Sequence, residues 1–188
     1  MFRLLFLLSI IPIAAALIAR WFFGMRVLAE DGARGCRCDL GTWMPLPGDT
    51  AVVHRAEESA AEFGRQLRIK ALAEWRDRDP KAATARESSR RFGMAVPPLS
   101  AMIAVFAVLV ARIPIMGGIS VILAATALAC VLGVLSLAPE LAAITLAARK
   151  LREQKSFPRR DDEDAVIRCA VAHAWKETLP PILGLLQR

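Results

Sequence analysis

From Pro98 to Pro139 a single residue, Arg112, carries a charge. A helix that crosses a bilayer needs about 20 apolar residues at about 1.5 Å of rise each, and this stretch holds two such lengths. They meet at Arg112-Ile113-Pro114 and Gly117-Gly118, where Pro and Gly punctuate a bend and Arg112 can sit at the water interface. The stretch reads as a membrane hairpin. Composition agrees: 55% of residues are hydrophobic, yet 23% are charged and mean hydropathy is positive. Polar and apolar residues must therefore be segregated along the chain, which a soluble domain of mixed surface would not require.

A further apolar run spans Phe2 to Met25, interrupted only by Arg3 and Arg20. Ala14-Ala15-Ala16 could serve as the cleavage site of a signal peptide. However, the run continues past that site to Trp21-Phe22-Phe23, an aromatic belt suited to a membrane interface. An uncleaved first span is the better reading.

The sequence thus predicts an all-α integral membrane protein with three transmembrane helices and solvated amphipathic helices. Its segments are an N-terminal span (1–25), a loop and helical segment (26–93), the hairpin (94–139) and C-terminal helices (140–188). Near the membrane, Arg3 and Arg112 lie on one side. On the other lie Arg26, Arg34 and Arg37, then Arg86, Arg90 and Arg91, then Arg149, Lys150, Arg152 and Lys155. The positive-inside rule makes that second side cytoplasmic, with the N-terminus outside. A bacterial cytoplasmic (inner) membrane is the expected location.

The net charge of +7 does not point to nucleic acid. Between Phe22 and Gly93, 13 basic residues face 11 acidic ones, and no dense basic patch with interleaved aromatics occurs. The expected partners are the lipid bilayer and a protein in the membrane. Cys130 falls mid-span and Cys169 in a C-terminal helix, while Cys36 and Cys38 are too close in sequence to bridge each other. Reduced thiols are expected, because Cys36-Arg37-Cys38 is only half of a zinc site.

Glu30 to Asp49 lacks any period and reads as a loop. From Thr50 a helix is predicted, with Asp49 or Thr50 as cap and an apolar stripe at Val53, Ala56, Ala60, Phe63, Leu67 and Ala71; Arg55, Glu58, Glu62, Arg65, Arg68 and Arg76 fall mainly off the stripe. Asp79-Pro80 starts a second helix, Lys81 to Phe92, which feeds the hairpin at Pro97-Pro98. After Phe157-Pro158, the acids Asp161 to Asp164 open a helix at its favoured end, and the alanine-rich segment to Trp175 reads as largely buried.

The hairpin is followed by Leu-Ala-Pro-Glu-Leu-Ala-Ala at 137–143, Ala147-Ala148-Arg149-Lys150-Leu151, an acid cluster and the alanine-rich helix with Trp175. This order resembles the C-terminal part of the bacterial membrane-bound neutral zinc metallopeptidases. That family carries His-Glu-x-x-His upstream of its hairpin: two His one helical turn apart bind zinc, and the Glu is the general base on the metal-bound water. Here the nearest segment is His54-Arg55-Ala56-Glu57-Glu58. It keeps the first His, places Arg55 where the base would be and Glu58 where the second ligand would be. A guanidinium cannot take a proton.

The resemblance makes Glu140 the candidate third ligand, so a residual metal site would consist of His54, Glu58 and Glu140, with zinc as the metal. His173 reads instead as a packed histidine, and Glu140 could equally be solvated or paired with an arginine. The leading expectation is a non-catalytic, membrane-anchored interaction or scaffold protein without a cofactor, a zinc-peptidase-like pseudoenzyme that partners an active membrane peptidase. The alternatives are a metal-dependent membrane peptidase with an atypical ligand set, or a module that binds anionic lipid.

Overall fold

The computed structural model describes residues 2–43, 55–110 and 112–178. Three of its helical stretches are long and apolar enough to cross a membrane: Arg3–Glu30, Pro80–Leu109 and Ile115–Gln154. The chain divides into two units.

The first unit comprises residues 1–20, 84–137 and 177–188. It contains α1 (Phe2–Arg20), most of α4 (Pro80–Leu109) and α5 (Ile115–Leu135). Helix α1 packs on α5 around Ala16 and Cys130, with Ile13, Leu17 and Val134 beside them. The buried positions are small: Ser9 and Ala16 on α1, and Gly117, Gly118, Ser120, Thr126, Ala127, Ala129, Cys130 and Gly133 on α5. The hydroxyls of Ser9, Ser120 and Thr126 donate to carbonyls four residues back, at 2.7–2.9 Å. Large apolar side chains face outward, Met102 at 70% and Leu109 at 78% exposure among them. Small residues at the contact and bulky ones outside is the packing that suits lipid, where hydrophobicity does not drive helices together.

Helix α4 runs without a break through Pro97-Pro98, against the expectation of a separate helix ending at Phe92. The two prolines lack N–H groups, so the carbonyls of Gly93 and Met94 lose their usual helical donors. Apolar helices tolerate such a loss; one turn on, Ser100 Oγ donates to the Pro97 carbonyl at 2.8 Å. The start is as the sequence implies: Pro80 opens the helix, and Asp79 Oδ1 accepts from the Ala82 amide at 3.0 Å. Arg86 is buried, with its guanidinium donating to the Gly133 carbonyl (3.2 Å) and Ser136 Oγ (2.6 Å) at the C-terminal end of α5, where the helix dipole favours a cation.

The second unit comprises residues 21–83 and 138–176. A π-helical turn, Trp21–Met25, leads into the short α2 (Arg26–Glu30). Two strands follow, β1 (Gly35–Arg37) and β2 (Glu57–Ser59), paired antiparallel with Cys36 opposite Glu58. They correct the reading of 35–37 as part of a loop and of 57–59 as helix. The sequence carries a signal for this boundary: Ser59-Ala60-Ala61-Glu62 is a capping box. The Ser59 hydroxyl accepts from the Glu62 amide at 3.3 Å, and α3 begins at Ala60 and runs to Arg78. The expected caps Asp49 and Thr50 lie outside the described residues.

Within this unit α3 packs on α7 (Arg160–Lys176). The contact is close because Gly64 faces it: a Cβ there would lie 2.7 Å from Cys169 Cβ and 2.8 Å from the Ala170 amide. Ala165, Val166, Cys169, Ala170, Ala172 and Ala174 are fully buried, so the alanine-rich helix is a core element, as its apolar breadth implied. Trp43, Phe63 and Phe157 meet edge to face with centroids 5.3–5.5 Å apart. Helix α6 (Leu137–Gln154) buries Ala143, Ile144, Ala147, Ala148 and Leu151. It ends at Lys155, whose φ of 51° is the left-handed conformation common after a helix.

Candidate functional site

Helix α3 buries Ala60, Phe63, Gly64, Leu67, Arg68, Ala71 and Trp75, positions three and four apart that form one face. Arg68 lies on that face, not off it. Its Nε donates to Glu140 Oε1 at 2.7 Å, and the two side chains are 8% and 2% exposed. This pair joins α3 to the first turn of α6, beside the core residues Leu67 and Ile144. Two charges this deep hold each other in place, and breaking such a buried pair is costly.

Several further charges of this unit are matched. Asp162 at the start of α7 is buried and receives Arg34, at 2.9 Å from the guanidinium Nη2. Arg152 of α6 reaches Glu163 (3.1 Å) and Asp164 (2.8 Å). Arg168 bonds Asp31 at 2.8 and 3.3 Å, and Lys150 bonds Glu74 at 2.7 Å. The acids of the α7 N-terminus thus favour their helix through its dipole and anchor arginines from the approach to β1 and from α6.

Three cysteines of this unit are buried and free. Burial, helped by Asp162 and opposed by Arg34, pushes the Cys36 thiol up to about 11. Burial, with Asp31 and Cys36 adding to it, takes Cys169 to about 11 as well. Cys38 is raised by burial and by Asp39. Thiols in that state are neutral near pH 7, and neither attack nor ligate well. His173 Nε2 lies 2.9 Å from the Ala61 carbonyl, a packing bond between α7 and the start of α3.

Of the three residues proposed to hold a metal, His54 lies outside the described residues. Glu58 sits on β2 at the wall of an open cleft of about 610 Å³, shared with Cys36, Arg37, Arg159 and Asp162, and has Arg55 4.0 Å away. Glu140 is engaged by Arg68. Among the described residues no three His, Cys, Asp or Glu side chains are grouped to hold a metal ion. Set against protein-family models, curated proteins and solved structures, the chain has no match in any of the three. The site is therefore judged by its chemistry. A carboxylate bonded to a guanidinium and neutral buried thiols are poor donors for zinc, which binds deprotonated, uncommitted ligands.

Sequence reasoning singled out Glu140 as a candidate ligand or the partner of an arginine, without identifying Arg68, and missed the pair formed by Arg34 and Asp162. For Arg68 the signal existed, four residues after Gly64 and seven before Trp75 on the buried face. For Arg34 and Asp162, 128 residues apart, no local pattern carries the pairing.

Proposed function

We propose that the chain is a three-span protein of the bacterial cytoplasmic membrane, with its N-terminus outside and its C-terminus in the cytoplasm. Its second unit is a non-catalytic interaction module that partners another protein in that membrane. The reading extends to descent from the zinc metallopeptidases that the C-terminal half resembles, with the catalytic apparatus replaced. The observation that carries it is the buried Arg68–Glu140 pair: the acid that the resemblance makes a metal ligand is neutralised by an arginine within the fold. Arg55 at the position of the general base supports the same conclusion. The apolar exterior of the first unit and the excess of basic residues beside one end of each span support the location and the topology.

Metal analysis and peptide hydrolysis by the full chain, purified in detergent, test the non-catalytic reading. Substoichiometric zinc and no chelator-sensitive cleavage are expected. Stoichiometric zinc that is lost in His54→Ala, together with chelator-sensitive hydrolysis, would sink it. Alkaline carbonate washing of membranes tests the anchoring separately, and topology reporters inserted at Arg112 and fused after Arg188 test the two sides.

A further inference from the structure

The hairpin of the first unit carries a groove that its own side chains leave open. Val105, Val108 and Leu109 of α4 and Ile115, Gly118 and Ile119 of α5 line a volume of about 190 Å³. Its walls are apolar throughout. Gly118 forms the floor, because the missing side chain leaves room for Val108; a Cβ would lie 2.8 Å from Val108 Cγ2. Leu109 and Ile115, at the rim, are among the most exposed apolar residues of the chain.

Between those two rim residues lies the connection that carries Arg112, the only charge from Pro98 to Pro139. Its amide donates to the Ala107 carbonyl at 3.0 Å, which fixes the backbone at the end of α4. Arg112 is exposed, and no described residue pairs with its guanidinium. A cation thus lies three residues along the chain from each of two groove-lining residues, Leu109 and Ile115, between helices long enough to span a bilayer. The edges favour a flexible occupant over a second helix: close helix contacts in lipid use small residues, and here Ala104 and Gly118 are flanked by the bulkier Val105, Leu109, Ile115 and Ile119. A linear acyl chain below an anionic phosphate matches both the lining and the charge.

We propose that this groove and Arg112 bind one anionic phospholipid, with its phosphate against the Arg112 guanidinium and one acyl chain along the groove. The inference rests on the membrane-spanning reading above. The test is native mass spectrometry of the full chain in mild detergent, offered phosphatidylglycerol or phosphatidylcholine of equal chain length. Wild type should retain one phosphatidylglycerol in preference to phosphatidylcholine by about fivefold, the ratio that about 1 kcal/mol for one interfacial basic residue gives. Arg112→Gln, at an exposed site, should abolish the preference while phosphatidylcholine is still retained. Ile119→Trp, which fills the groove, should lower retention of both.

Equal retention of the two lipids by wild type, or an unchanged preference in Arg112→Gln, would overturn the proposal. So would a wild-type dimer that Ile119→Trp dissociates without any lipid retained, which would make a second copy the occupant. Residence in membranes after alkaline washing is measured in parallel. A chain that washes off refutes the spanning reading, whereas a chain that stays but shows no lipid preference refutes the lipid site alone.

Discussion

Removing the Glu140 carboxylate should destabilise the second unit strongly, and restoring an apolar pair should reverse the loss. In Glu140→Leu the Arg68 guanidinium keeps its charge in a place where only 8% of its side chain meets water. Breaking a pair buried to this degree costs about 3–5 kcal/mol, a large share of the roughly 5–15 kcal/mol that holds a domain together. Arg68→Met takes the guanidinium away from the buried Glu140 carboxylate, with a loss of similar size. The double variant removes both charges and fills the space with side chains of comparable volume, so it should recover to near wild type or exceed it by about 1–4 kcal/mol. A double-mutant cycle measures this directly: two large single losses and a small combined one. The assay is urea unfolding of the full chain in mild detergent, followed by the fluorescence of Trp43 and Trp75, which are buried in this unit. Single losses below about 1 kcal/mol, or a double variant no better than the worse single, would refute the account of the pair. The experiment also bears on function, because a glutamate kept for metal binding would lose metal on substitution without so large a structural penalty.

The buried thiols should resist maleimide at about pH 7.5 in the native chain and react once it is unfolded; rapid native labelling of Cys36 or Cys169 would contradict their burial and raised pKa. The same shifts carry a sign in pH. Thiols held near 11 in the fold, against an ordinary 9.0, contribute stability that is complete below pH 9 and lost as pH rises towards 11. Urea midpoints should therefore fall across that window and barely change between about pH 7 and 8. Gly64→Leu should cost at least about 1–3 kcal/mol by forcing α3 from α7 at Cys169; an unchanged midpoint would refute the close contact. Ser59→Ala should cost about 1 kcal/mol through loss of the Glu62 amide's acceptor, with Ser59→Asp tolerated.

The long apolar helices were legible because one physical cause dominates them. A span of about 20 residues without charge is written in consecutive positions, as is the bend at Arg112 to Pro114. Asp79-Pro80 and the acids that open α7 were legible for a related reason: caps and dipole partners lie within one turn of what they stabilise. The errors arose where a second cause competes. Lys81 to Phe92 reads locally as a polar helix of its own, yet α4 continues through Pro97-Pro98, because an apolar helix loses more by exposing its backbone than by forgoing two bonds. Val53 and Ala56 continue the helical period upstream of Ala60, yet pairing of Cys36 with Glu58 claims 57–59 for a strand and the Ser59 capping box fixes the helix start after it. Three-residue strands are too short for a period of two to show in sequence.

The candidate site was the least legible part, and the reason bears on its function. A metal centre built on His-Glu-x-x-His announces itself because two ligands share one helix turn. The centre of this unit has no such spacing: Arg68 and Glu140 are 72 residues apart, Arg34 and Asp162 are 128 apart, and Arg168 and Asp31 are 137 apart. Each pair joins a segment before the hairpin to one after it. Charges distributed in that way fasten the two halves of the unit to each other, and they do so with arginines, whose fixed charge cannot be titrated away. A hydrolytic centre would instead need a group that exchanges protons near neutrality and a ligand left uncommitted. The described core offers arginine–carboxylate pairs and thiols held neutral by burial, and on the proposed reading a partner of this unit would be sought at its surface, not at the ion pairs within it.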